Sequence, residues 1–140
     1  MNIILIDEEI DESEVVRSLI NRLEKIKEAD LRKITNIDEA KIEVQKNKYD
    51  FIILDMMMHY GVQYDYQSSN GGLQTGSLFL RDLRDGKFGE TNAETEVIVF
   101  SNFVDINVKN RLEKNYKNVK YIFKPQKKEV INIILRGTND

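Results

Sequence analysis

"DFIILDMMMHY", residues 50–60, decides how this chain is read. Four apolar residues, Phe51 to Leu54, run into a single acid, Asp55. Three methionines and the only histidine, His59, follow. A short run that is apolar at every position suits a strand buried on both faces, which requires helices on both sides of a sheet. An acid directly behind such a strand is either a loop boundary or a group held at the rim of the sheet for chemistry.

Outward from this stretch the same pattern repeats. "NIILI" (2–6), "EVIVF" (96–100) and "VKYIF" (119–123) read as further buried strands, and "DLRKIT" (30–35) as a more exposed one. Between them lie stretches of helical periodicity. Val16, Leu19, Ile20, Leu23 and Ile26 form one stripe and predict a helix over 12–28. Ile37, Ala40 and Val44 predict another over 36–48, with Asn36 or Asp38 as its N-cap. Leu80 and Leu83 pack a third, stopped at Gly86; Asp105 caps a fourth that ends near Tyr116; "KKEVINIIL" closes the chain as a fifth. The polar segment 56–72, with "YGVQYDYQSSNGG", is too long for an ordinary strand-to-helix connection. The order βαβαβαβαβα predicts an α/β fold, a (βα)5 doubly wound, flavodoxin-like three-layer sandwich. Its five parallel strands are expected in the order 2-1-3-4-5, and residues 1–140 form one domain.

Composition fits this and excludes several classes. The chain has 140 residues, enough for one core, with 41% hydrophobic and 32% charged residues. It has no cysteine, hence no disulfide, zinc thiolate or cysteine nucleophile. The N-terminus lacks the basic region and cleavage site of a secretory signal, and no apolar stretch is long enough to span a bilayer. A soluble cytoplasmic protein is expected, with no membrane partner. Net charge is −3, but acids crowd Asp7 to Glu14 while Lys109 to Lys128 is rich in basic residues. An overall acidic chain argues against direct nucleic-acid binding. Both clusters read equally as solvated surface or as a cation site and a partner-docking face.

In a doubly wound sheet the working site lies beyond the C-terminal ends of the strands. There the chain places Asp7 and Glu8, Asp55, Ser101, and Lys124 followed by Pro125. Three carboxylates held together repel, and Mg2+, a hard cation with oxygen ligands, relieves that repulsion. One carboxylate can then act as nucleophile toward a phosphoryl group, whose oxygens Mg2+, Lys124 and Ser101 would hold.

These residues resemble the receiver domain of two-component response regulators. The resemblance runs over the whole chain, through "IDEE", "FIILD", "FS" and "YIFKP". It implies a phosphoprotein in which Asp55 accepts a phosphoryl group from a histidine kinase or phosphotransfer protein. It implies Mg2+ held by Asp7, Glu8, Asp55 and the Met57 carbonyl, and phosphoryl contacts from Ser101 and Lys124. It implies a cis Lys124–Pro125 peptide, and a switch through Ser101 and Tyr121 that alters a face of the fourth helix, fifth strand and fifth helix. That face would bind a downstream protein, with a homodimer left open. Beyond catalysing its own phosphorylation and dephosphorylation, such a domain is not an enzyme. Met57, Asn102 and Phe103 occupy positions that tune rates; Met57 and Phe103 are apolar and imply slow self-dephosphorylation.

The chain departs from the family at Met58-His59, where Met-Pro is frequent, at Asn102, where a small residue is frequent, and in a longer loop, 59–72. It is expected to be a stand-alone receiver or one excised from a longer protein. His59 is expected to be an exposed loop residue, and the methionines to pack under the loop. A haloacid-dehalogenase-type phosphatase would need a second acid where Met57 stands. A flavodoxin-like cofactor binder would need a phosphate cradle where the acidic loop lies. The alternative is a receiver-fold interaction module that is never phosphorylated.

Overall fold

The apolar runs become adjacent strands of one parallel sheet. In the computed structural model, which describes residues 1–138, the strands are β1 (Asn2–Ile6), β2 (Asp30–Ile34), β3 (Phe51–Leu54), β4 (Glu96–Ser101) and β5 (Val119–Phe123). They pair in the order β2-β1-β3-β4-β5, as expected. The helices between and after them are α1 (Glu14–Glu24), α2 (Ile37–Lys46), α3 (Thr75–Arg84), α4 (Ile106–Asn115) and α5 (Lys127–Thr138).

The continuous apolar runs conceal a two-residue alternation. Ile4, Ile6, Ile52, Leu54, Val97 and Val99 face one layer with buried residues of α2, α3 and α4. Ile3, Leu5, Phe51, Ile53, Ile98 and Phe100 face the other with those of α1 and α5. Both faces are apolar because both are covered, which leaves no polar side in the sequence. β2, at the sheet edge, is mostly exposed.

Local chemistry sets the helix ends. Ser13, Asn36 and Asp105 accept backbone N–H groups in the first turns of α1, α2 and α4. Asn36, not Asp38, caps α2, which frees the Asp38 carboxylate for another use. α3 closes at Gly86, φ +79°. Its N–H donates to the Leu83 carbonyl and that of Lys87 to the Asp82 carbonyl, the paired bonds of a left-handed helix stop. α1 is shorter than its stripe suggested. The chain leaves it at Lys25 and turns through Glu28 at φ +65°, while Ile26 still packs against the core.

Residues 55–74 contain no helix or strand, yet a few buried residues and hydrogen bonds tie them to the core. Met56 and Met58 are buried in the core beneath the segment, as expected. Ser69 is buried too, its hydroxyl donating to the Asp65 carbonyl and accepting from the Gly72 N–H. The Thr75 hydroxyl donates to the Met58 carbonyl, and the Tyr64 hydroxyl to buried Asp82 of α3. α3 then begins hard against the end of β3. The Gly76 N–H donates to the Met56 carbonyl, and a Cβ at Gly76 would lie 2.3 Å from the Asp55 carbonyl oxygen.

Candidate functional site

Parallel register brings the strand-end residues together. Ile6 pairs with Leu54, so the residues after them, Asp7 and Asp55, fall side by side. One more ladder bond on each fixes their backbones: Asp7 N–H to the Ile34 carbonyl and Asp55 N–H to the Ile6 carbonyl, both 3.0 Å. Ser101 pairs with Phe123, so Lys124 follows directly beside it.

The side chains share one local geometry. Asp7 Oδ1 accepts the Glu9 N–H at 2.8 Å, Asp55 Oδ1 the Met57 N–H at 3.4 Å, and Ser101 Oγ the Phe103 N–H at 3.1 Å. Each is a short turn closed by a side chain onto the amide two residues on, as Asp and Ser favour. With one oxygen committed, each carboxylate aims its Oδ2 at Lys124. The ammonium lies 2.9 Å from Asp7 Oδ2 and 3.3 Å from Asp55 Oδ2. Asp7, Asp55, Ser101 and Lys124 are at most 3% exposed.

Two buried carboxylates against one ammonium leave an excess negative charge. The Asp55 carboxyl is pushed up from 3.8 to about 6, first by burial and then by Asp7, against the lowering influence of Lys124 and Ser101. For Lys124, burial alone would lower its pKa; Asp55 and Asp7 outweigh that and hold it above the usual lysine value. Asp7 Oδ2 is within ion-pair distance of the ammonium, yet no donor is aligned on it as a hydrogen bond.

One side chain stands apart from the group, and one expectation, the cis peptide, is corrected. Glu8 does not join the other carboxylates. It is exposed, and its Oε2 accepts the His59 backbone N–H at 3.0 Å. Among the described residues no three acidic or histidine side chains are grouped as a metal site. The Lys124–Pro125 peptide is not cis. Lys124–Gln126 form a turn of 3-10 helix leading into α5, and Pro125 sits in its first positions, where a fixed φ and a missing N–H are tolerated.

Tyr121 is buried at 1% exposure and its hydroxyl donates to the Phe103 carbonyl at 2.6 Å. Burial raises its pKa. Met57 and Phe103 are half-buried against the core, and Asn102 is exposed. His59 is exposed, as expected; its Nδ1 accepts the Gly61 N–H and its ring stacks on Tyr60. Sequence reasoning missed Asp38, Tyr64 and Asp82, which brace the 59–72 segment. Asp38 carried only the signal of a helix-cap candidate, and the other two carried none.

Solved structures that match this chain are receiver domains. A Francisella response-regulator receiver domain is 23% identical, with TM-score 0.68 and 98% of each chain covered. A Burkholderia pseudomallei response regulator, solved with a phosphorylated aspartic acid and a calcium ion, is 23% identical with TM-score 0.58; the match covers 93% of this chain and 63% of that one. The receiver domain of a Pseudomonas aeruginosa sensor histidine kinase, solved with magnesium in its active-site cleft, is 16% identical with TM-score 0.60, covering 96% and 94%. No family model and no curated protein matches the chain. Among the described residues, no helix is long and apolar enough to cross a membrane.

Proposed function

We propose that residues 1–140 act as one response-regulator receiver whose phosphoryl acceptor is Asp55. The observation that carries this reading is the buried Asp7–Lys124–Asp55 arrangement at the C-terminal ends of β1, β3 and β5. An Asp55 carboxylate oxygen attacks the phosphorus of a phosphohistidine on a kinase or phosphotransfer protein. The P–N bond breaks and its electron pair returns to the donor imidazole, leaving an acyl phosphate. Lys124 and the Ser101 hydroxyl hold phosphoryl oxygens as charge spreads over them. The donor set fits a hard divalent cation: Asp7 Oδ2 is buried without an aligned donor, and the site carries surplus negative charge. Asp7, Asp55, Glu8 and the Met57 carbonyl would hold Mg2+, which supplies charge neutralisation of the transferring phosphoryl group.

Readout runs through Ser101 and Tyr121 to the α4–β5–α5 face and a downstream protein. Tyr121 already lies inside with its hydroxyl bonded to Phe103, so phosphorylation strengthens an arrangement that the unmodified protein adopts. Incubation with Mg2+ and acetyl phosphate or beryllofluoride tests the whole reading. An adduct is expected by mass spectrometry or by 19F NMR, and Asp55→Asn should abolish it. No adduct from any donor would favour a receiver-fold interaction module, the reading that the outward placement of Glu8 supports.

The phospho-form should be long-lived. Neither Met57 nor Phe103 carries a polar group to orient an attacking water. Replacing Met57 with Asn is expected to speed loss of phosphate about tenfold or more, followed by phosphate release; an unchanged rate would remove the role given to Met57.

A further inference from the structure

Residues 59–72 reach the acidic residues after β1 through a hydrogen bond. The His59 backbone N–H donates to Glu8 Oε2 at 3.0 Å. The rest of the segment is held by α2 and α3. Asp38 of α2 accepts the Val62 N–H with both carboxylate oxygens, at 3.2 and 3.0 Å, and the Gln63 N–H at 2.9 Å. Gly61 sits over the same carboxylate at φ +63°, so close that a Cβ there would lie 2.3 Å from Asp38 Oδ2. The His59 ring closes the turn by accepting the Gly61 N–H at 2.9 Å. On the far side the Tyr64 hydroxyl donates to Asp82 at 2.8 Å.

These bonds link α2, through residues 59–63, to the carboxylate next to Asp7. Asp38 fixes residues 61–63, the His59–Gly61 turn transmits that position, and the His59 amide holds Glu8. In this arrangement Glu8 stands outside the Asp7–Asp55–Lys124 group. A Glu8 oxygen that accepts the His59 N–H must give up that bond, or drag the segment with it, to turn inward.

We propose that residues 59–72 form a latch that restrains Glu8, and that Asp38 is its positioning residue, so that the segment sets the affinity of the site for Mg2+. This rests on the receiver reading given above. Moving Glu8 to a cation and closing the latch compete, and the coupling is reciprocal. A polar segment too long for a connection thereby becomes an input to the phosphorylation site.

The test is Mg2+ titration of the full chain, read by calorimetry and by backbone 15N–1H NMR. In the wild type, Mg2+ is expected to move the His59 amide resonance upfield as its carboxylate partner leaves. Asp38→Ala is expected to tighten Mg2+ binding about three- to tenfold, the worth of one ordinary hydrogen bond, and Asp38→Asn, which keeps one acceptor, to fall between. Thermal melts identify a variant that fails to fold, in which case Asp38→Asn and the wild-type His59 shift decide. Weaker or unchanged Mg2+ binding in the Asp38 series, or an unmoved His59 amide, overturns the latch. If the wild type still binds Mg2+ and forms the Asp55 adduct, the latch alone is lost. A wild type that binds no Mg2+ and forms no adduct overturns both readings.

Discussion

Lys124→Ala is expected to lower the unfolding free energy at pH 8 by about 3–5 kcal/mol, measured by urea denaturation. The ammonium is the counter-charge for two buried carboxylates, at 2.9 Å from Asp7 and 3.3 Å from Asp55. Removing one partner of a buried ion pair leaves uncompensated charge, which costs far more than the pair itself contributes. Lys124→Met keeps the apolar stem and separates packing from charge; nearly the same loss is expected. A loss below about 1 kcal/mol in the Met variant would mean that the ammonium does not hold the acids together. The loss should shrink near pH 5, where Asp55, with its carboxyl pushed to about 6, is largely protonated. Millimolar Mg2+ should recover part of it by supplying the missing positive charge to the folded state alone.

Asp55→Asn is expected to act in the opposite direction and to stabilise the protein at pH 8 by about 2–3 kcal/mol. The Asp55 carboxyl is raised from 3.8 to about 6, because burial and Asp7 disfavour the charge. A folded-state value above the unfolded one means that the native state binds the proton more tightly. The contribution to stability is full below about pH 4 and is lost as pH rises through about 6. At pH 8 the ionised carboxylate destabilises the fold, and asparagine, of the same shape, removes that charge. Urea unfolding from pH 4 to 8 should therefore show the wild type losing stability relative to Asp55→Asn across that window. Parallel curves would refute the assignment of surplus negative charge to the site. Contributions from acidic residues remote from the site cancel in the difference between the two proteins.

These two substitutions have opposite signs although the residues touch. That follows from the count of charges, two acids to one base, and not from the number of contacts. A site that is destabilised without a cation is consistent with the proposed cation and phosphoryl chemistry, since function commonly occupies strained or charged positions that folding alone would not select.

The strands and helices of this chain, and the polar residues gathered at the strand ends, were legible in its residues. Buried runs such as Phe51–Leu54 announce a two-faced sheet, and helical stripes such as Val16 to Leu23 announce the covering layers, because periodicity is a local property of the chain. Asp7, Asp55, Ser101 and Lys124 could be assigned to one edge because each directly follows or ends a strand, and parallel register does the rest. The helix end at Gly86 was legible for a similar reason, since it depends on one residue's backbone. The placement of Glu8 was not. Its neighbour Asp7 is held by the strand ladder, whereas Glu8 has a free rotamer, and the amide that captures it is 51 residues away. The order within residues 59–72 was equally hidden. It depends on Asp38, a carboxylate freed because Asn36 took the helix cap, and on Tyr64 finding Asp82 across a gap of 18 residues. Such bonds join single polar atoms from distant segments and leave no period in the sequence. What the residues alone determined is therefore the sheet and which polar residues stand at its rim. What only the tertiary structure decided is which carboxylates reach the lysine and which one is held back by the segment after β3.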